Sequence, residues 1–332
     1  MNTPRTSVWL ASIVLGTALM AAPAELAFGS TSASGAQEAA SVNTHPIAGP
    51  NRPANVPDGY VITPFGYFHA SCVRSLVKGE RLMADGRLQH ADGSIDEKAA
   101  VCSYPHYQRN GVSSAGNTST SPEINGWVEN ANFTTGTPSK TYGSLVSGWI
   151  VPPQPAANDG QVLYFFPGFE DINDPQTSIL QPVLGWYQGQ WTIASWNCCL
   201  NGITTNSPAV SVSPGDLIYG SITSNCGAGS VLCSGWNVLS VDLSTGQSTI
   251  LANTPSDGQA FNWAFGGVLE AYSIVRCEDY PSDRRLTFET VVFNQDLNPI
   301  LDPKWGKAVN NNGTPQCNYG VKPDRLKVTV DY

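Results

Sequence analysis

No histidine lies beyond His106 in this 332-residue chain; the four are His45, His69, His90 and His106. The longer stretch after it therefore holds no Ser-His-Asp triad, no Cys-His pair and no imidazole metal site. Charge is scarce as well. Only 13% of residues are Asp, Glu, Lys or Arg, and the net charge is −9. Nucleic acid needs a basic face for its phosphates, so it is excluded as a partner. No Cys-x-x-Cys occurs, and the adjacent Cys198 and Cys199 lack the spacing for zinc, so neither a metal nor a cofactor is expected. Phe265-Gly266-Gly267-Val268 lacks the lysine and the strand-to-helix setting of a phosphate loop. No run reaches the roughly 20 apolar residues of a membrane-spanning helix, so no membrane partner is expected. Catalysis after residue 125 must fall to carboxylates, amides or hydroxyls.

What is present points outside the cell. Arg5, the short apolar run Val8–Met20 and the small residues Ala22-Pro23-Ala24 read as an export signal over residues 1–24. Eight cysteines, an even number, fit disulfides in a secreted, extracellular chain. The expected pairs are Cys72–Cys102, Cys226–Cys233 and Cys277–Cys317, with Cys198 and Cys199 left open. Residues 25–57 are rich in Ala, Ser, Pro and Asn and read as a leader. Gly59–Tyr107 reads as a small unit, and the polar stretch 108–123 (QRNGVSSAGNTSTSPE) as a linker open to processing. Residues 25–120 together form an expected prosegment, and 121–332 a monomeric domain.

That domain is patterned for strands. Val, Ile, Thr, Tyr, Phe and Trp recur over 143–151, 162–166, 179–186, 191–196, 209–223, 236–243, 248–251, 262–276, 286–293 and 326–330. Ser213-Pro214-Gly215-Asp216 and Ser244-Thr245-Gly246-Gln247 read as hairpin turns. No amphipathic helix and no internal repeat interrupts them. The fold class is all-β: an antiparallel β-sandwich of the jelly-roll, concanavalin-like kind.

Two polar residues sit oddly in these runs. Gln181 lies inside SILQPVLGWY, where a buried amide must find partners for two donors and an acceptor. Pro182 beside it removes a ladder donor and suggests an edge strand, or one that begins there. Glu270 lies in FNWAFGGVLEAYSIV, and period-2 alternation puts it on one face with Val268, Tyr272 and Ile274. An apolar setting raises a carboxyl pKa and suits it to acid–base work. Glu170 and Asp171, in FFPGFEDINDP, read as a loop pair.

The order GWIVPP, YFFPGFED, SILQPVLGW, WTIASW, VSVSPGDLIYGSIT and FGGVLEAYSI resembles the eqolisins, the fungal glutamic peptidases, and is similar around two strands to the neprosin-like peptidases. The resemblance spans about residues 145–275. It implies a β-sandwich whose catalytic Gln falls on Gln181 and whose Glu falls on Glu270. The eqolisin strand carries two Glu four residues apart, whereas this chain has Gly266 at the earlier place. Trp186, Trp196, Glu170 and Phe166 are expected to contact a polypeptide substrate, with Phe165 or Phe166 standing where the eqolisins have Trp. A Glu would activate water and return the proton to the leaving nitrogen, while the Gln181 amide steadies the oxyanion. The implied function is a secreted, acid-acting endopeptidase made as a zymogen. Two alternatives stand beside it. A non-catalytic carbohydrate- or cell-wall-binding sandwich would stack exposed Trp186, Trp191, Trp196 and Trp236 on sugars. A structural or inhibitor-like protein would keep its aromatics in the core.

Overall fold

Period-2 alternation needs two apolar faces when a sheet is covered on both sides, and the central strands here have them. The computed structural model describes residues 45–46, 48–49, 51–83, 85–113, 127–135, 137, 140–173, 179–310 and 315–332. The expected export signal, most of the leader and much of the 108–123 linker lie outside the described residues. In chain order the strands are β1 (Tyr60–Thr63), β2 (Gly66–His69), β3 (Val73–Ser75), β4 (Arg81–Leu82), β5 (Leu88–Gln89), β6 (Trp127–Thr134) and β7 (Tyr142–Ile150). They continue with β8 (Val162–Glu170), β9 (Ile179–Tyr187), β10 (Gln190–Cys198), β11 (Thr204–Asn206), β12 (Val210–Val212), β13 (Leu217–Ser224) and β14 (Gly235–Asp242). The last are β15 (Ser248–Pro255), β16 (Trp263–Tyr272), β17 (Arg285–Asn294), β18 (Pro299–Ile300), β19 (Gly306–Val309), β20 (Gly320–Asp324) and β21 (Lys327–Asp331).

They form an all-β sandwich. One sheet of nine strands runs β19-β6-β16-β8-β9-β10-β11-β3, with β12 also on β10. The other, of eight, runs β15-β14-β13-β7-β17-β21-β20, with β18 on β17. Pairing is antiparallel except where β3 joins β11 in parallel. Between the sheets, Leu163, Phe165, Leu184, Trp186 and Ile193 meet Trp149, Ile218, Phe288 and Val330. Further along, Phe169, Leu180 and Ala264 meet Leu145, Ile222, Val292 and Val328. Each Val, Leu, Ile or Phe among them contributes about 1.5–3 kcal/mol when fully buried.

Several expectations are corrected here. Strand β9 is not an edge: β8 and β10 flank it. The β8–β9 ladder lapses between Phe165–Leu184 and Phe169–Leu180, where Pro167 and Pro182 stand opposite each other. Neither has an N–H, so neither strand orphans a donor there. The Ser213–Asp216 turn joins no hairpin; it carries the chain from β12 in one sheet to β13 in the other. Ser244–Gln247 does join a hairpin, β14–β15, with Asp242 accepting from the Ser244 and Thr245 amides. The tryptophans expected to be exposed are buried: Trp186 2%, Trp191 1%, Trp196 4% and Trp236 3% accessible. All eight cysteines are paired. The three expected disulfides form, and Cys198 bonds to Cys199.

The outer face of the nine-stranded sheet is also covered. Ala48, Val56, Tyr60, Ile62, Tyr67 and Phe68 cluster with Val162, Tyr164, Phe166, Val183, Trp196, Phe265 and Tyr272. The parallel β3–β11 pair and the Cys102 amide bond to Asn201 O (2.8 Å) hold the same segment along the sheet edge.

Candidate active site

Cross-strand register decides which side chains can meet. Gln181 points to the outer face of β9, opposite Trp196 on β10. On its other side lies Gly168 of β8, where an added Cβ would stand 3.4 Å from Gln181 Cγ. Gly168 in turn pairs with Phe265 of β16. Gln181 is fully buried, and its Oε1 and Nε2 have no hydrogen-bond partner among the described residues. An amide left this way in an apolar setting costs free energy that packing alone does not explain.

Glu270 lies on the same outer face but in a different row. It pairs with Tyr164 of β8, which pairs with Gly185 of β9, four residues from Gln181. At about 3.3 Å per residue the two rows are about 13 Å apart along the strands. Phe166 and Val183 occupy the row between them. Gln181 and Glu270 therefore do not flank one water, contrary to the sequence expectation. Glu270 accepts instead from the Tyr272 hydroxyl. Burial pushes its carboxyl up to about 8, against that opposing hydrogen bond.

The carboxylate beside Gln181 is Glu170. It ends β8 two residues beyond Gly168, pairs with Trp263 of β16, and so shares the outer face. Diagonal neighbours on adjacent strands are about 7–8 Å apart, within reach of two long side chains. Glu170 is 2% accessible, its Oε2 lacks a hydrogen-bond partner among the described residues, and burial raises its pKa to about 8. Sequence placed it in a loop with Asp171. Asp171 is structural: it accepts from the amides of Asn173 and Ala260.

Of the remaining expected residues, Phe166 and Trp196 lie on the outer face with Gln181. Trp186 does not. It faces the inter-sheet core against Trp191, ring centroids 5.2 Å apart, and cannot line a cleft on the other side. Gly266 faces inward too, at a bulge between Phe265 and Val268. A Cβ there would stand 2.8 Å from Val328 Cγ2 and 2.9 Å from Trp305. Glu at 266 would overpack the core rather than reach Gln181. Gly266→Glu should lower the melting temperature, as overpacking by about 1–3 kcal/mol implies, and add no activity; thermal melting and a peptidase assay check it.

No protein-family model and no curated protein matches the chain. Among solved structures, the chain is similar to scytalido-glutamic peptidase with a peptide-based transition state analog, at 17% identity and TM-score 0.44. That match covers 62% of this chain and 98% of the other. It is also similar to SCP-B, a member of the eqolisin family in complex with the tripeptide Ala-Ile-His, with 17% identity, TM-score 0.42 and the same coverage. Aspergilloglutamic peptidase from Aspergillus niger matches at 16% identity and TM-score 0.34, over 52% of this chain and 98% of that one. Values this low leave the function to be argued from the outer face itself.

Proposed function

We propose that the chain is a secreted, acid-acting endopeptidase of glutamic type, held latent by its N-terminal segment, with Gln181 and Glu170 as its catalytic pair. The observation that carries this reading is a buried, unpartnered amide diagonal to a buried carboxyl. Glu170, once ionised, takes a proton from the attacking water and returns it to the leaving nitrogen. The Gln181 amide donates to the oxyanion of the tetrahedral intermediate, and it stays neutral and keeps its donors throughout the acid range. The sequence resemblance to eqolisins supports the Gln, and the row geometry supports Glu170 rather than Glu270 for the acid–base role.

Latency comes from the cover. In the full chain Glu170 holds its proton to about pH 8 because it is desolvated. Removing the cover hydrates it and lowers its pKa toward that of an ordinary carboxyl, so that it ionises in acid and serves as a base. Release of the segment and activation of the base are then one event. The full chain, incubated at falling pH with a denatured protein, should hydrolyse it as a new N-terminus appears between residues 107 and 127. Intact chain and intact substrate at every pH from 2 to 7 would overturn the reading. The carbohydrate-binding alternative loses its support in this form of the chain, since its four tryptophans are buried.

A further inference from the structure

The β1–β2 hairpin already occupies the outer face, and its contacts indicate what that face accepts. Thr63 pairs with Gly66, leaving Pro64 and Phe65 as the turn. Gly66 has φ +112, and a Cβ there would stand 2.3 Å from Tyr107 O, so the turn admits no side chain at that position. This fixes how Phe65 is presented. Its half-buried ring meets Trp196 edge-on, centroids 5.9 Å apart at 72°. Trp196 is the residue directly opposite Gln181. Further back along β1, Ile62 O accepts from the Tyr164 hydroxyl at 3.1 Å, and on β2 Tyr67 meets Tyr272 edge-on at 5.4 Å. A cavity lined by His45, Tyr164, Gly185, Tyr187 and Trp196 opens on the same side of the sheet.

We propose that the Phe65–Trp196 contact marks a specificity subsite. The outer face takes a polypeptide segment that lays a large aromatic side chain on Trp196, beside Gln181, while the Tyr164 hydroxyl holds a backbone carbonyl of the same segment. In the full chain the hairpin fills that place with its own Phe65 and Ile62 O. Two anchors of different chemistry, an aromatic ring and a directed hydroxyl, match the side chain and the backbone carbonyl of one peptide segment. The inference rests on the peptidase reading only for the hydrolysis of a bound segment, not for its binding.

The test uses the full chain and a labelled synthetic peptide of residues 60–69 (YVITPFGYFH) as probe. Phe65→Asp places a charge against Trp196 and frees the subsite; Phe65→Ser is a milder variant should the first fold poorly, with melting curves for both. Wild type should bind neither the probe nor its Phe65→Ala form. Either variant should bind the probe on the order of 10-fold tighter than the Ala form, as loss of a half-buried aromatic contact implies. Adding Trp196→Ala should erase that preference. Equal binding of the two peptides, binding by wild type, or no binding by either variant would overturn the subsite. Hydrolysis of a denatured protein is measured separately. Preferential binding without hydrolysis would refute the peptidase reading and leave the subsite standing, and hydrolysis without preference would do the reverse.

Discussion

Glu170→Gln should abolish peptide hydrolysis by the acid-treated chain while leaving its fold intact. The substitution keeps the shape of a side chain that is 2% accessible and removes only the group that can take a proton from water. Loss of general-base assistance alone costs about 10²–10⁴ in rate. Gln181→Ala should lose about 10²–10³, the effect of deleting one oxyanion donor, because Gln181 makes no other hydrogen bond among the described residues. Glu270→Gln should stay within a few-fold of wild type, since it lies four residues along the sheet from the Gln181 row. Hydrolysis of a denatured protein across pH 2–7, with melting curves for each variant, checks all three. Full activity in Glu170→Gln with none in Glu270→Gln would contradict the assignment.

The second large effect concerns pH and stability. Three buried carboxyls are raised by desolvation: Glu129 to about 9, and Glu170 and Glu270 each to about 8. Below the unfolded value near 4.5 all three are protonated in both states, and their contribution is fully present. As pH rises beyond that, the unfolded chain releases protons that the folded chain retains. Stability is therefore lost progressively up to pH 8–9. At about 1.4 kcal/mol per pKa unit, one realised unit at each group makes about 4 kcal/mol, or roughly 10 °C in melting temperature. His45 acts oppositely. Burial lowers its pKa to about 4, so its contribution is present above 6.5 and is lost as pH falls through 4. His106, stacked on Phe68, is lowered by burial in the same direction. Melting temperature should therefore peak in mildly acid solution and fall toward pH 9, and Glu129→Gln should flatten the alkaline side. A melting temperature that climbs steadily from pH 5 to 9 would contradict this. The acid limb bears on latency. His45 lies against Trp196, centroids 5.3 Å apart, so the protonation that destabilises the folded chain falls beside the Gln181 row.

Much of the sandwich was legible because its strands declare themselves by β-branched and aromatic enrichment. Each of the ten expected runs contains a strand. Strand β6 (WVENANFT) was missed because Glu129, Asn130 and Asn132 read as surface, yet Glu129 and Asn130 are buried. The run 209–223 is two strands, because its Ser-Pro-Gly-Asp turn moves the chain between sheets. Gln181 and Glu270 share the outer face, as the eqolisin resemblance implies; periodicity groups residues only within one strand. It could not place them in rows, because row depends on pairing register and on the bulge at Gly266 and Gly267. Glu170 reads as a loop residue because Pro167 and Gly168 are turn signals by composition. In the fold Pro167 is tolerated because Pro182 opposes it, so β8 runs on to Glu170. Trp186 is a different case: it lies five residues from Gln181 on β9, so period-2 alternation alone sets the two on opposite faces.

The catalytic proposal rests on the Gln181 amide, buried without a partner among the described residues on a covered sheet face, stabilising an oxyanion. The most direct measurement is the initial rate at which acid-treated full chain hydrolyses a denatured protein, for wild type beside Gln181→Ala at equal folded concentration. The account predicts a rate lower by about 10²–10³ in the variant with an unchanged melting temperature. Equal rates in the two proteins, or a variant that loses activity only in proportion to lost folding, would contradict it.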